Sequence, residues 1–387
     1  MLRGTKIDSF GMKEKRKSSL SSFLDKNIEF RGGCPMKVLS LVGARPQFIK
    51  EAVLHKEFEK AGIQEILVHS GQHYDFNMSD VFFQVLEIRK PDYYLSVGSG
   101  LHGEMTGKIM IEFEKIVLEE KPDVILVYGD TNTTLAGAIV GAKLKIPVAH
   151  VEAGLRQEPK DMPEEINRVL TDRVSKYLFC PTKLAVENLK KEGIEQGVYF
   201  VGDVMYDLFL MMKPLFKYDV YEAAGLEEGK YIVMTLHRDF NVDNKEKFEK
   251  ILKEVAKVAE KVKVVFPVHP RTRKRISEFG LDEYLKDILV IEPIDYLNLM
   301  GLVEKSWKVI TDSGGLQKEA YFAGKRAVVV MPDSGWRELV ETGWNILADG
   351  EGIYDAVFST EEKPYPTGLY GNGDAGNRIV EILNKGY

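Results

Sequence analysis

Short apolar runs, each closing on a polar or glycine-rich cluster, recur along the chain from residue 36 onward. Lys37 to Val42, Ile66 to His69, Asp123 to Tyr128, Ile146 to Val151, Tyr177 to Cys180 and Val198 to Val201 have strand length and near-continuous apolarity, the pattern of buried parallel strands. Between them lie segments of helical period. Thr131 to Leu144 reads as a helix, and so does His102 to Glu119, whose Met105, Ile109, Phe113 and Ile116 fall on one stripe and read as core. The period fades from Asp207 to Gly229, which contains Pro214 and reads as a linker. It restarts with strands at Tyr231 to Leu236, Val262 to Val268 and Trp307 to Thr311, and Ala375 to Lys385 reads as an amphipathic helix. Strands alternating with helices predict an α/β protein of two Rossmann-like domains with parallel sheets. The expected division is 36–206 and 207–374.

Ligands of open parallel sheets bind outside the carboxyl ends of the strands, so the residues closing each run are the candidates for chemistry. Asp130 follows the strand at 123–128, and Glu152 follows the next one at 146–151. Both would face one crevice. His150 shares the Glu152 side of its strand by the two-residue period, and a His and a Glu are unusual where a parallel strand is covered on both faces. Glu164 stands just after Pro163 in the first turn of a helix, with Asn167 and Arg168 three and four positions on and so on its face. Each acid also has a plain structural reading, as helix cap, dipole partner or strand end. Three together in consecutive elements favour a site.

The second half carries features suited to an anion. Its strands end in His237-Arg238, in His269-Pro270-Arg271 and in Asp312-Ser313-Gly314-Gly315, the last opening a helix that holds Glu319. Small residues at a helix start let backbone N–H groups approach a phosphate, and the dipole favours its charge; a tight turn would use glycine equally well. In the first half, Gly43-Ala44-Arg45-Pro46 joins strand to helix, so Arg45 and that helix start would also face an anion.

Composition narrows the partners. With 53 Lys and Arg against 59 Asp and Glu in 387 residues, the net charge of −6 argues against nucleic acid. No apolar run approaches the roughly 18 to 20 residues that span a bilayer, so no membrane insertion and a cytoplasmic location are expected. Cys34 and Cys180 have neither disulfide-framework nor metal-ligand spacing. Residues 1–35 hold eight Lys and Arg against four Asp and Glu with Ser-rich and Gly-rich patches, and read as a poorly ordered extension.

GDTNTTLAG, HVEAGLR, MPEEINR and TDSGGLQKEA together resemble the motifs of the non-hydrolysing UDP-N-acetylglucosamine 2-epimerases, and the resemblance runs from Met36 nearly to the end. It implies a glycosyltransferase-B type fold, with a UDP-sugar in the cleft between domains and the C-terminal helix, about 375–387, crossing back onto the first domain. It implies that Asp130, Glu152 and Glu164 are the acid/base carboxylates, and that His237 lies by the diphosphate. Ser313, Gly314, Gly315 and Glu319 match the nucleotide-binding motif. GARPQFIK places the family's Arg and Lys at Arg45 and Lys50, and the Gln-His loop near the nucleotide sugar falls at Gln72 and His73. Arg168, Arg238 and His269 complete the expected binding set. No metal and no cofactor is implied, and a homodimer is expected.

Two stretches depart from the family pattern. The segment between HVEAGLR and PEE is shortened to QEPKDM, and MPDSGWRE stands where an Arg-Asp-Thr-Thr-Glu-Arg-Pro-Glu run is usual, so Arg337 matches only loosely. The run Trp336 to Asn345, with GARPQFIK and GQHYDFNMS, resembles a branch acting on UDP-2,3-diacetamido-2,3-dideoxyglucuronate, whose extra carboxylate would need a cation; Arg337 is the candidate in that loop. UDP-N-acetylglucosamine is the preferred substrate and the uronate the alternative. The rivals are a glycosyltransferase on the same scaffold, a hydrolysing epimerase and a nucleotide-sugar sensor.

Overall fold

The computed structural model describes residues 35–71, 89–359 and 363–386. Within them the chain forms two wholly parallel sheets. The first has the order β3-β2-β1-β4-β5-β6-β7, with β1 Lys37–Val42, β2 Gln64–His69, β3 Tyr93–Tyr94, β4 Val124–Tyr128, β5 Val148–Val151, β6 Tyr177–Cys180 and β7 Val198–Phe200. The second runs β10-β9-β8-β11-β12-β13, with β8 Tyr231–Thr235, β9 Lys263–Pro267, β10 Ile288–Ile291, β11 Lys308–Thr311, β12 Arg326–Val329 and β13 Ile346–Leu347. The two-domain α/β architecture expected from the sequence is therefore observed.

Every residue of β4, β5, β6 and β11 is buried. Helices cover both faces of these central strands, which is why the runs are apolar without alternation. Strand order reverses between β1 and β4 in one sheet and between β8 and β11 in the other. At such a switch point the connections leave in opposite directions and open a crevice. The loops after β1, β4, β8 and β11 carry Arg45, Asp130, His237, Arg238 and Ser313 to Gly315, and Glu152 follows the adjacent β5.

The stretch read as a linker, 207–229, does lie between the last strand of the first sheet and the first strand of the second, but it is not without regular structure. Val204–Met212, which overlaps the stretch read as a linker, is a helix. Val204, Leu208, Phe209 and Met212 are all buried, and residues of both halves join them in one apolar cluster. The junction is packed rather than loose. The helix Ala375–Gly386 lies against the first-domain helix Arg45–Ala61 and buries Ala375, Ile379, Val380 and Leu383. Its start is tied down by Asp207, whose carboxylate accepts the N–H groups of Ala375 (3.1 Å) and Gly376 (2.8 Å).

Candidate active site

A cavity of about 420 Å³ between the domains is lined by Lys50, Asp130, Glu152, Arg156, Arg168, Arg238, Gly314, Gly315, Lys318, Glu319 and Trp336. The first-domain wall is assembled by the loops after β1, β4 and β5. After β1 the chain passes so close to its neighbours that a Cβ on Gly43 would sit 2.1 Å from Thr133 Oγ1. Gln47 locks that loop to the next one. It accepts the Gly43 N–H (2.8 Å) and donates to the Tyr128 carbonyl (2.6 Å) and the Thr131 hydroxyl (2.9 Å).

Asp130 does not cap the helix that follows it. Thr131 does, accepting the Thr134 N–H, which leaves the Asp130 carboxylate free to face the cavity. Arg168 Nη2 donates to it at 2.6 Å, while the other arm of the guanidinium holds Glu165. Glu152 has a φ of +75°, rare for a side chain with a Cβ and a kind of strain that gathers at functional sites. Its carboxylate pairs with the Lys50 ammonium. Burial, and then the nearby Lys318 ammonium, bring the Lys50 pKa down to about 8.

The second-domain wall is built around Asp312, which is fully buried at the end of β11. Its carboxylate accepts the backbone N–H groups of His237 (3.1 Å) and Arg238 (2.9 Å) and the Asn241 amide (3.2 Å). The His237 ring stands 3.2 Å from it and is 42% exposed. Burial outweighs the attraction of Asp312 and holds the His237 pKa below its usual value. Arg238 spends its Nε on the Asp312 carbonyl (3.3 Å). Among the described residues it is the cavity-lining cation without a carboxylate partner.

Ser313 caps the helix Gly314–Phe322 by accepting the Leu316 N–H at 3.3 Å. A Cβ added at Gly314 or Gly315 would meet nothing nearer than 3.8 Å, and neither residue has a positive φ. Neither packing nor a tight turn demands glycine here. What an absent side chain provides is room for a ligand to approach the N–H groups at the helix start. Farther along, Glu319 is hydrogen-bonded by Tyr296, and burial raises its pKa to about 7. Lys318 pairs with Asp203 from the first domain, with its ammonium 3.7 Å above the Trp336 ring.

The remaining candidates are placed elsewhere. Arg45 and His269 are exposed and do not line the cavity. Glu164 is exposed too, so it does not share the buried face of its helix with Asn167 and Arg168; Glu165 does. Gln72 and His73 lie outside the described residues, as do Cys34 and residues 1–34. Arg337 pairs with Asp333 at 3.0 Å and lines a neighbouring cavity of about 620 Å³ instead of this one. Arg156, Lys318 and Trp336 were not picked out from sequence; a lysine inside Gln-Lys-Glu looks like any surface lysine.

Glu51, His55 and Glu65 form a separate cluster with donor atoms within 4.8 Å of one another. Glu65 is already engaged by the Ser40 hydroxyl at 2.5 Å, by His55 Nδ1 at 2.6 Å and by Arg89 at 3.5 Å. Burial and the adjacent Glu65 push the Glu51 carboxyl well above its usual range. Glu65 is thus already held by Ser40, His55 and Arg89, and the guanidinium beside it disfavours a further cation.

Known proteins resemble this chain over most of its length. A sequence model of the UDP-N-acetylglucosamine 2-epimerase family matches residues 56–384. A Methanococcus maripaludis protein described as a UDP-N-acetylglucosamine 2-epimerase homolog is 46% identical over 90% of this chain and 100% of its own length. The UDP-2,3-diacetamido-2,3-dideoxy-D-glucuronate 2-epimerase of Pseudomonas aeruginosa is 45% identical with the same coverage. Among solved structures, the Methanocaldococcus jannaschii UDP-GlcNAc 2-epimerase in complex with UDP-GlcNAc and UDP superposes with a TM-score of 0.77 at 43% identity, covering 90% of this chain and 100% of that one. None of the described helices is long and apolar enough to cross a membrane.

Proposed function

This chain belongs to the UDP-N-acetylglucosamine 2-epimerase family, and we propose that it inverts C2 of UDP-N-acetylglucosamine to give UDP-N-acetylmannosamine without hydrolysis. The C2 hydrogen is not next to a carbonyl and is too weakly acidic for a carboxylate to remove alone. Elimination solves this. A carboxylate takes the C2 proton while the C1–O bond breaks and its electron pair passes to the diphosphate, leaving UDP and a 2-acetamidoglycal. Re-addition returns the diphosphate oxygen to C1 as C2 receives a proton on its other face.

The observation that carries the reading is that Asp130 and Glu152 line the same cavity as Arg238 and the open Gly314-Gly315 helix start. Acid/base groups then meet C2 while unpaired donors receive the charge that develops on the leaving diphosphate. Asp130 and Glu152 exchange protons with C2 in this proposal. Glu164, one turn before Arg168, is the third carboxylate. His237, with Arg45 and His269, serves the diphosphate, and Glu319 serves the nucleotide.

Incubation in deuterated water followed by NMR tests the reaction. Deuterium is expected at C2 of both epimers, with little free UDP. Epimer formed with C2 fully protonated would exclude acid/base exchange with solvent, and accumulation of free sugar would indicate hydrolysis.

A second reading, epimerisation of UDP-2,3-diacetamido-2,3-dideoxyglucuronate, is supported by the Pseudomonas relative. The cavity also carries five Lys and Arg, namely Lys50, Arg156, Arg168, Arg238 and Lys318, against the carboxylates Asp130, Glu152 and Glu319. Comparison of kcat/KM for the two sugars decides between the readings, and an advantage of about tenfold or more for the uronate would establish the second. Because Arg337 lies outside the cavity, Arg337→Ala is expected to leave that ratio unchanged.

For the assembly we propose a homodimer. Ile166, Val169, Leu170 and Val174 leave an apolar stripe exposed on the helix Pro163–Val174, a surface that a second copy would cover. A monomeric mass in sedimentation would refute it.

A further inference from the structure

The His150 ring is wholly buried at the centre of the first sheet, yet both of its nitrogens face acceptors. Nε2 lies 2.7 Å from the Gly129 carbonyl, and Nδ1 lies 2.7 Å from Asp172 Oδ1. A carbonyl oxygen can only accept, so Nε2 donates to Gly129, and Nδ1 faces the Asp172 carboxylate. Asp172 is 1% exposed on the helix Pro163–Val174. Its second oxygen accepts the Gly154 N–H at 3.1 Å and Arg156 Nη1 at 2.8 Å.

The ends of this network decide its meaning. Gly129 immediately precedes Asp130, and Gly154 follows Glu152 by two residues. One imidazole and one carboxylate thus join the two turns that present the cavity's carboxylates, although neither His150 nor Asp172 lines the cavity. The same helix reaches Asp130 directly through Arg168, one turn before Asp172. Glu152 also needs such support, since a non-glycine residue at positive φ persists only where its surroundings over-determine it. The N–H groups of Glu152 and Ala153 both converge on the Phe179 carbonyl, each at 3.1 Å, and the Gly154 N–H bond to Asp172 fixes the far side of the turn.

We propose that His150 and Asp172 are positioning residues of the epimerase reaction, setting the placement of Asp130 relative to Glu152 and holding Glu152 in its strained backbone conformation. The inference rests on the epimerase reading. It differs from a purely stabilising role in a definite way. A pair that only held the fold together would lower the melting temperature and leave turnover per folded molecule intact.

Asp172→Ala and Asp172→Asn in the full chain test it. An asparagine amide can donate to Nδ1 of a His150 tautomer protonated on Nε2, which still donates to the Gly129 carbonyl, while the amide oxygen keeps Gly154 and Arg156. The asparagine variant therefore retains the geometry and loses the charge. Asp172→Ala is expected to lower kcat about 10²-fold, as a small misplacement at the reacting centre does. KM and the Kd for UDP should stay within about twofold, because uniform binding is untouched. Asp172→Asn should recover kcat to within about tenfold of the wild type. His150→Gln keeps bulk but cannot span both acceptors, and it should lose at least about tenfold in kcat, which serves if the alanine variant does not fold. Turnover near wild type in His150→Gln or in folded Asp172→Ala would overturn the proposal, and so would an asparagine variant as inactive as the alanine one. A wild-type enzyme that epimerises neither sugar would instead remove the functional reading and the positioning role with it.

Discussion

The two walls of the cavity treat charge differently. On the first-domain wall the cations already have carboxylates: Lys50 has Glu152, Arg168 has Asp130 and Glu165, and Arg156 has Asp172 and Glu192. On the second-domain wall Lys318 has Asp203, but among the described residues the Arg238 guanidinium bonds a backbone carbonyl and no carboxylate, and the Gly314-Gly315 helix start lies open. Matched pairs hold carboxylates in place but present little net charge to an incoming anion. Unmatched donors stay hydrated until an anion replaces the water. In the proposed reaction, the difference teaches that the matched wall suits proton handling and the open one suits anion capture.

The largest expected effect of separating them comes from Asp130→Asn. Removing an acid/base group should lower kcat by about 10²-fold or more while UDP binding is largely kept. Parallel loss of UDP affinity, measured by calorimetry, would show that the walls are not independent. Arg238→Ala is the converse. Losing a charge-assisted hydrogen bond to phosphate is worth about 1.5–3 kcal/mol, roughly a tenfold to hundredfold rise in the Kd for UDP, with a melting temperature close to that of the wild type. An unchanged Kd would place the diphosphate elsewhere.

The pH response sharpens the comparison. Lys50 is charged below its pKa of about 8 and loses its proton above it, so kcat should fall on the alkaline side of that value. Glu319, raised to about 7, is a carboxylate above that pH and a neutral acid below it, so UDP affinity should weaken on the acid side. A kcat profile flat between pH 7 and 9.5 would remove Lys50 from the chemistry. Gly315→Ala should have the smallest effect. The fold has room for the methyl group, and alanine favours a helix by up to about 1 kcal/mol over glycine, so stability should hold or rise while UDP binding weakens. Unaltered binding would return Gly315 to the role of a simple helix start.

Much of the architecture was legible because central parallel strands write themselves as apolar runs closed by glycine or a polar residue. Tyr177–Cys180 and Lys37–Val42 occur where the pattern places them. The helix Val204–Met212 escaped notice for a physical reason. Packed at the domain junction, it is apolar around most of its circumference, and no periodic stripe marks it. The candidate site was legible where a carboxylate ends a strand, as with Asp130 and Glu152. It was not legible where placement depends on which face a helix turns inward, which exchanged Glu164 for Glu165 on the buried side. Nor does sequence reveal that Lys318 reaches across to Asp203, a contact between segments 115 residues apart, or that Arg337 pairs with Asp333 four residues before it instead of turning into the cavity.

The helix Ala375–Gly386 seats itself on Arg45–Ala61 and takes its N-terminal hydrogen bonds from Asp207. During synthesis, that part of the first domain emerges only after the whole second sheet has been made. Until then the apolar side of Arg45–Ala61 that receives Ile379 and Leu383 has no cover, although the strands beneath it are already complete. The nascent chain thus carries a sticky, half-finished domain for about 175 further residues, from Phe200 to Ala375, at about 5–20 residues per second, an interval of roughly nine to thirty-five seconds in which a chaperone, or a neighbouring ribosome's product, competes for that face.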